Sequence, residues 1–358
     1  MENKGLLFIP DISGFTKFVN ETDIEHSRLI IQELLELLIN SNQIGLTVSE
    51  VEGDAILFYK FGEAPAQEEI YRQVEKMFCD FHKALIVYDQ RKFCQCRACI
   101  SASGLTLKII THYGEFADYN VKNFNKLIGK DVIVVHQLMK NDIAQHEYWL
   151  VTNDLLPHNP VVFKNWMKWN SSVKHTENGE IAFYYTQLGA LRNDIKPEPL
   201  PPPDLSKKVK VISLAREYET DMITLFHATG DFNYRSQWQE GVKKVEELSH
   251  FLPRVGTRSR FIMNNEETVI HATSYSYTPE KISFSETDEI KNNTNYFYLE
   301  QLGPNRMKLT VDVYRMKKGL NHVLFNFFGK KKMEASFRRS LQNLEKVVKE
   351  IKLPVDQE

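Results

Sequence analysis

The sequence predicts an α+β protein of two domains, for three reasons. Strand and helix patterns alternate in the first half without the strict repeat of a doubly wound sheet. In the second half, a run of strand patterns precedes one long amphipathic helix. Between the halves, residues 196–208 read KPEPLPPPDLSKK, and five prolines in that stretch favour an extended spacer over a helix or a central strand. We therefore expect one domain at residues 1–195 and another at residues 209–358.

Hydrophobic periodicity places the elements of the first domain. Residues 5–12, GLLFIPDI, have the pattern of a buried strand, and the leucines and isoleucines between Asp23 and Asn40 recur at helical spacing. The turn signal Glu52-Gly53-Asp54 joins two further strand patterns into a hairpin. The two strands of this hairpin are predicted at Ile44–Val51 and Ala55–Phe58. A further strand is predicted at Leu105–His112, and helices are predicted at Ala66–Ala84 and Lys130–Asn141.

The second domain opens with a predicted strand at Val209–Tyr218, followed by short helices to about Trp238 and by strands to Tyr314. The closing helix runs from about Lys331 to Ile351, with one face formed by Phe337, Leu341, Leu344 and Val348. The architecture that this order predicts is one helix packed across an antiparallel sheet.

Composition excludes several classes of protein. Hydrophobic residues make up 42% and charged residues 26% of the 358 residues, as in folded globular chains. Lys and Arg total 45 against 47 for Asp and Glu, so no nucleic-acid partner is expected. The start of the chain lacks the apolar run of a signal peptide, and no stretch is long enough to span a bilayer. We therefore expect a soluble, cytoplasmic protein with reduced thiols.

Asp11 and Asp54 are the candidate metal ligands. Asp11 ends an apolar strand just before Phe15 and Thr16, where the first turn of a helix would offer free N–H groups to a phosphate. Asp54 lies at the tip of the predicted hairpin, and two carboxylates at turn positions suit a hard cation such as Mg²⁺. The alternative is that both are ordinary turn and cap residues.

Four segments in matching order, FIPDISGFTKF, VEGDAILFYKF, LTLKIITHYGEF and LIGKDVIVVHQL, resemble motifs of class III nucleotidyl cyclases. The resemblance covers roughly Gly5 to Leu188 and implies a ferredoxin-like domain of the cyclase type. It implies that Asp11 and Asp54 hold Mg²⁺, that the helix start at Phe15 and Thr16 faces the nucleotide phosphates, and that the protein forms a homodimer.

The resemblance also shows substitutions at catalytic positions. Alignment on Gly129 puts Ile133 where the family has the Asn that orients the ribose, and Gln137 where it has the Arg that stabilises charge on the α-phosphate. The isoleucine side chain forms no hydrogen bond, and a neutral amide stabilises an anion less than a guanidinium does. The domain is therefore expected to bind nucleotide with little or no cyclase activity.

The base-recognition positions also differ from those of adenylyl cyclases. Glu50 stands where adenylyl cyclases have Lys and guanylyl cyclases have Glu, and Lys126 stands where adenylyl cyclases have Asp. Two interpretations of the pair stay open: a plain ion pair, and a pair that reads a different base.

Three of the four cysteines form the pattern Cys94-x-Cys96-x-x-Cys99. The fourth, Cys79, lies on a predicted helix three residues before His82. In a reducing compartment, three thiolates with a fourth Cys or His suit a structural zinc ion, and polar, basic surroundings favour thiolate. The alternative is a group of reduced thiols beside a helix end.

The segment EYETDMITLFHATGDFNYRSQWQEGVKKVE, with the strands and long helix after it, resembles START-like domains over roughly Val209 to Ile351. The resemblance implies a helix-grip fold, in which a curved antiparallel sheet and the long helix enclose a cavity for a lipid or another hydrophobic molecule. The alternative is a filled core.

The leading hypothesis is a cyclase-like domain that binds nucleotide and Mg²⁺ and is coupled to a sensor of an apolar ligand. The first alternative is an active cyclase with unusual transition-state groups, and the second is a non-enzymatic binding or scaffold protein.

Overall fold

The structure is a computed structural model that describes residues 4–22, 24–92, 97–122, 124–156, 158–176, 179–196, 204–248, 255–264, 266–278, 280–317 and 329–351. The chain divides into two compact units, one formed by Met1–Asp89 and Arg97–Glu198 and the other by Gln90–Cys96 and Pro199–Glu358. The α+β class is confirmed. Among the described helices, none is both long enough and apolar enough to cross a membrane.

The N-terminal unit starts with strand β1 (Lys4–Ser13), the short helix α1 (Phe15–Glu21) and helix α2 (Ile24–Asn40). Its further strands and helices are β2 (Thr47–Glu52), β3 (Ala55–Phe61), α3 (Gln67–Arg91), α4 (Arg97–Ser101), β4 (Thr106–Glu115), β5 (Ala117–Val121), β6 (Phe124–Ile128), α5 (Lys130–Met139), β7 (Tyr148–Thr152), β8 (Trp169–Thr176) and β9 (Gly179–Gln187).

Strand β1 lies inside a sheet whose described strands follow the order β2-β3-β1-β4-β7-β9-β8. Neighbouring strands are antiparallel except β4 and β7, which are parallel. Strands β5 and β6 form a separate hairpin. The register places Asp11 opposite Ala55 on one side and opposite Lys108 on the other.

Helices cover both faces of this sheet, which explains why every residue of β1 after Lys4 is buried. On one face, Leu7 and Ile9 share an apolar cluster with Val135 and Leu138 of α5. On the other face, the ring of Trp149 in β7 lies 6.2 Å from that of Tyr71 in α3. A polar side chain near the end of β1 is therefore enclosed rather than solvated.

The C-terminal unit is a second, fully antiparallel sheet with one long helix. Its described strands follow the order β10-β16-β15-β14-β13-β12-β11. The elements are β10 (Lys208–Tyr218), α6 (Met222–Gly230), α7 (Arg235–Trp238), β11 (Val242–Glu247), β12 (Arg258–Met263), β13 (Glu267–Thr278), β14 (Lys281–Asp288), β15 (Thr294–Gly303), β16 (Arg306–Met316) and α8 (Lys330–Glu350).

Helix α8 packs its apolar face onto one face of this sheet. Leu341 and Leu344 share a core with Phe284, Phe297 and other residues that alternate along the strands. The hydroxyl of Tyr218 in β10 donates a hydrogen bond of 2.7 Å to the carbonyl oxygen of Leu341. The long helix and the antiparallel sheet agree with the architecture predicted for this half.

Candidate functional site

Asp11 and Asp54 lie side by side at one end of the N-terminal sheet. The amide of Ile12 donates a hydrogen bond of 3.0 Å to the carbonyl oxygen of Asp54, which ties the end of β1 to the turn between β2 and β3. Gly53 has φ of 60°, a left-handed conformation that lets the chain reverse tightly before Asp54. The two carboxylates interact electrostatically. Two like charges this close repel each other when ionised, so a cation at this edge of the sheet is favoured.

Lys108 on β4 is the register partner of Asp11 and supplies a positive charge beside it. Its Nζ lies 3.2 Å from Oδ2 of Asp11 and donates a hydrogen bond of 3.0 Å to the carbonyl oxygen of Met139 at the end of α5. The sequence analysis did not single out this lysine. The sequence feature that could have identified it is a charged residue in β4 at a position that faces the apolar cluster.

Burial makes this acidic pair hard to ionise. Asp11 is 5% exposed, and burial raises its pKa to about 6, with Asp54 adding to the shift and Lys108 opposing it. Burial also raises the pKa of Asp54, against a backbone hydrogen bond and Lys108. A divalent cation between the two carboxylates would favour their ionised forms, and carboxylate oxygens are the ligands that Mg²⁺ prefers. The donor set therefore fits such an ion.

Phe15 and Thr16 begin α1 next to this turn. Gly14 has φ of 89°, so β1 passes into the helix through a left-handed residue. The ring of Phe15 lies beside the turn, 3.8 Å from the position that a Cβ on Gly53 would take. Thr16 is exposed. Phe15 thus lies beside the turn that carries Asp54, and Thr16 follows it in the first turn of α1.

Glu50 and Lys126 also meet. The ammonium of Lys126 on β6 donates a hydrogen bond to Oε2 of Glu50 on β2, and His136 Nε2 of α5 lies 3.7 Å from the other carboxylate oxygen. The hydrogen bond that Lys126 donates to Glu50, and the negative charge of Glu50, raise the pKa of Lys126. The contact is compatible with both interpretations of the pair, since an intact ion pair can also present its edges to a base.

Ile133 and Gln137 share one face of α5, one turn apart. Both line a surface cavity of about 440 Å³, together with Val134 and Asp154. The side chain of Ile133 is 55% exposed. Ile133 therefore presents apolar surface to this cavity.

A buried histidine fixes the start of α5. His112 of β4 is 1% exposed, with Nδ1 2.8 Å from the hydroxyl of Thr152 and Nε2 3.2 Å from Oδ1 of Asp131 in the first turn of α5. Asp131 also accepts a hydrogen bond of 2.6 Å from the amide of Glu115. A Cβ on Gly114 would lie 2.3 Å from Cγ of Asp131, so glycine is needed for this close approach.

The residues of the predicted zinc site have different neighbours. Cys99 on α4 is buried, with Sγ 3.6 Å from Nδ1 of His26 on α2. His82 on α3 has Nε2 3.5 Å from Oε1 of Glu147. Burial raises the pKa of the Cys79 thiol to about 11, which disfavours the thiolate that a metal would need.

Within the described ranges, no group of three or more His, Cys, Asp or Glu side chains could hold a metal ion. Cys94 and Cys96 lie outside those ranges. The structure therefore gives the zinc hypothesis no support, and it stays a prediction.

Comparison with known sequences gives partial matches. A family profile described as "Protein of unknown function (DUF2652)" matches residues 31–148. The chain is similar to the uncharacterized protein Rv2561/Rv2562 of Mycobacterium tuberculosis (strain ATCC 25618 / H37Rv), with 28% identity over 130 residues. That match spans 34% of this chain and 56% of the relative, little more than half of its length.

Comparison with solved structures finds cyclase catalytic domains. The catalytic core of a rhodopsin-guanylyl cyclase with converted specificity, in complex with ATPalphaS, has 14% identity and a TM-score of 0.38 over 52% of this chain and 96% of that chain. The adenylyl cyclase CyaB from P. aeruginosa has 16% identity and a TM-score of 0.38 over 51% and 93%. A bacterial light-regulated adenylyl cyclase has 13% identity and a TM-score of 0.41 over 54% and 58%.

Proposed function

We propose that the N-terminal unit binds Mg²⁺ through Asp11 and Asp54 and, with it, the phosphates of a nucleoside triphosphate. The main support is the shortage of positive charge at this edge of the sheet where, within the described ranges, both carboxylates depend on the ammonium of Lys108. Burying unbalanced acids is costly, and sites that tolerate this cost are often functional ones. The position of Phe15 and Thr16 next to the pair leaves the first turn of α1 beside the proposed cation.

The proposed binding is accompanied by little or no cyclisation. Ile133 and Gln137 occupy the positions at which a cyclase would need a ribose-binding amide and a guanidinium. Removing one preorganised electrostatic donor commonly costs about a hundredfold in rate or more, and here two are replaced. The proposed binding depends on Asp11 and Asp54, which are present. The protein is therefore expected to keep its affinity for nucleotide while its rate of cyclisation stays low.

The test measures binding of ATP and GTP to the full chain by titration calorimetry, with Mg²⁺ and with a chelator. We expect Mg²⁺-dependent binding that Asp54→Asn weakens at least roughly tenfold, since even outer partners of a metal site contribute that much. The matched control is Glu63→Gln, an exposed acid in the loop after β3, which should leave binding unchanged.

Three other results would replace the proposal. Robust cyclic nucleotide production that Asp54→Asn abolishes would establish an active cyclase. Nucleotide binding that is indifferent to Mg²⁺ and to Asp54→Asn would place the nucleotide elsewhere. The absence of any nucleotide binding would favour a scaffold.

The proposed functional form is a homodimer. Ile24 is 76% exposed and Val51 is 47% exposed, and an apolar cavity of about 490 Å³ lies between them, lined also by Phe15, Ile31 and residues of α1 and α2. Exposed apolar surface of this kind is typical of interfaces. Sedimentation equilibrium should show a dimer that Val51→Glu dissociates, and a monomeric wild-type protein would remove this part of the proposal.

A second candidate function is proposed for the C-terminal unit, where a cavity lies beside the packed core. The cavity has a volume of about 570 Å³ and is lined by residues of β12 to β16 and α8. This volume lies within the range of sites for small molecules. We propose that it binds an amphipathic or hydrophobic molecule. Native mass spectrometry of the purified chain tests this, and a protein that neither retains nor accepts any small molecule would refute it.

A further inference from the structure

The lining of the cavity in the C-terminal unit combines apolar side chains with charged ones, among them Lys291, Arg315 and Lys332. Phe261, Ile270 and Val313 of the sheet and Phe337 of α8 are among its apolar residues. Glu286, however, also lines it and is only 4% exposed. A carboxylate in such a place needs a specific partner, so its surroundings show what the cavity can accept.

Glu286 has a fixed counter-ion. Arg235 is 1% exposed, and its Nη2 donates a hydrogen bond to Oε1 of Glu286. The guanidinium also lies over the rings of Phe232, Trp238 and Phe297, at 5.4, 5.0 and 5.2 Å from their centroids. These contacts fix the arginine, so the pair presents nearly no net charge to the cavity.

Glu286 and Asn295 form a polar position inside the cavity. They are directly opposite each other on β14 and β15, where facing side chains lie about 5 Å apart, and both line the cavity. Among the described residues, the only hydrogen-bond donor to the Glu286 carboxylate is Arg235, which engages Oε1. Oε2 can therefore accept a hydrogen bond from a ligand, and the Asn295 amide can donate one.

A second polar group lies farther along the sheet. Thr268 of β13 is 5% exposed and lines the same cavity, and its hydroxyl has no hydrogen-bond partner within the described part of the chain. Ala272 of β13 is the register partner of Glu286, so Thr268 lies four residues away, or roughly 13 Å along the strand. A buried hydroxyl without a partner costs about 1–3 kcal/mol, so a polar occupant is favoured there.

We propose that this cavity binds an elongated amphipathic molecule with a neutral hydroxyl group at Glu286 and Asn295 and a second polar group near Thr268. The hydroxyl donates to Oε2 of Glu286 and accepts from the Asn295 amide. At the position of Glu286 a charged group is disfavoured, because Arg235 already balances this carboxylate. The inference rests on the ligand-binding function proposed above for the cavity and specifies its ligand class.

The test titrates the full chain with four probes of equal chain length: decanol, terminal decanediol, decanoic acid and decyl methyl ether. We expect the diol to bind most tightly, then the alcohol, with the ether and the acid weaker. Each hydrogen bond should be worth roughly threefold to tenfold in affinity. Asn295→Leu should bring decanol down to the level of the ether, and Thr268→Val should bring the diol down to the level of decanol.

The control is Thr310→Val, because Thr310 lies on β16 between Leu309 and Val311, both in the core, and so faces away from the cavity. It should leave all four affinities unchanged, and circular dichroism confirms that each variant folds. Equal binding of all four probes would refute the ligand class and leave the cavity's function standing. Tightest binding of decanoic acid would also refute it, in favour of an anion site. No binding of any probe would refute both.

Discussion

His82 gives a sharp test of the electrostatics of the N-terminal unit. Its side chain is 5% exposed, and its ring lies 4.3 Å from that of Phe78. Glu147 is close enough for an ion pair, but its carboxylate already binds the guanidinium of Arg192. Burial, with a further contribution from the charge of Arg192, therefore lowers the pKa of His82 to about 3.

The pKa shift sets the size and direction of a pH effect. In the unfolded chain His82 takes up a proton below its ordinary pKa of 6.5, whereas in the folded chain it stays neutral until about pH 3. The unfolded state therefore binds more protons between these values, and the free energy of unfolding falls as pH decreases. At pH 5, one and a half units below 6.5, this group alone removes about 2 kcal/mol.

The assay is chemical denaturation of the full chain at pH 7 and pH 5, comparing wild type, His82→Gln and the control His175→Gln. The His175 side chain is 79% exposed and belongs to the same unit. Between pH 7 and pH 5 the free energy of unfolding of His82→Gln should fall by about 2 kcal/mol less than that of wild type, because the glutamine amide does not titrate. An unchanged pH dependence in His82→Gln, or an equal change in His175→Gln, would refute this reasoning.

Three further predictions concern the proposed metal site, the packing of Gly114 and the buried ion pair of Arg235. Mg²⁺ at about a hundred times its dissociation constant should stabilise the protein by about 2.7 kcal/mol, and Asp11→Asn should remove this gain in thermal denaturation. Gly114→Ala should destabilise the N-terminal unit by about 1–3 kcal/mol in urea, because the new Cβ would meet the Asp131 carboxylate. Arg235→Met should cost about 3–5 kcal/mol at pH 8 and less at pH 5, because burial raises the pKa of Glu286 and the unpaired carboxylate takes up a proton.

Two of these predictions have a matched control variant, and the third has an outcome that would contradict it. Gly104→Ala places a Cβ where no heavy atom lies within 4 Å, so a loss equal to that of Gly114→Ala would contradict the steric explanation. Arg306→Met removes an arginine from an exposed pair with Glu217 and should cost less than about 1 kcal/mol. A Mg²⁺ effect that survives Asp11→Asn would place the cation elsewhere.

Local patterns predicted most of the regular elements. The closing helix was predicted from about Lys331 to Ile351 and is observed at Lys330–Glu350, because its apolar residues repeat at helical spacing over many turns. The strand predicted at Leu105–His112 is observed at Thr106–Glu115. A long segment whose apolar residues recur at one regular spacing is compatible with few other secondary structures.

Elements without a periodic apolar face were missed. The hairpin of β5 and β6 consists of short strands, and β5 is mostly exposed, so pairing rather than burial defines it. The role of Lys108 depends on the register between β1 and β4, and the burial of His82 depends on Glu147 and Arg192, distant in sequence. The spacing of the cysteines gave no information about where Cys79 and Cys99 lie relative to other elements.

The ion pair between Lys108 and Asp11 has a consequence for how the proposed site would be used. Because a lysine on the neighbouring strand already offsets part of the acidic charge, folding of the sheet does not have to wait for a metal, unlike the folding of small domains organised by zinc. Occupancy can then follow the supply of nucleotide and Mg²⁺ in the cell and reverse when either falls. Such a site is suited to reporting a concentration rather than to storing an ion.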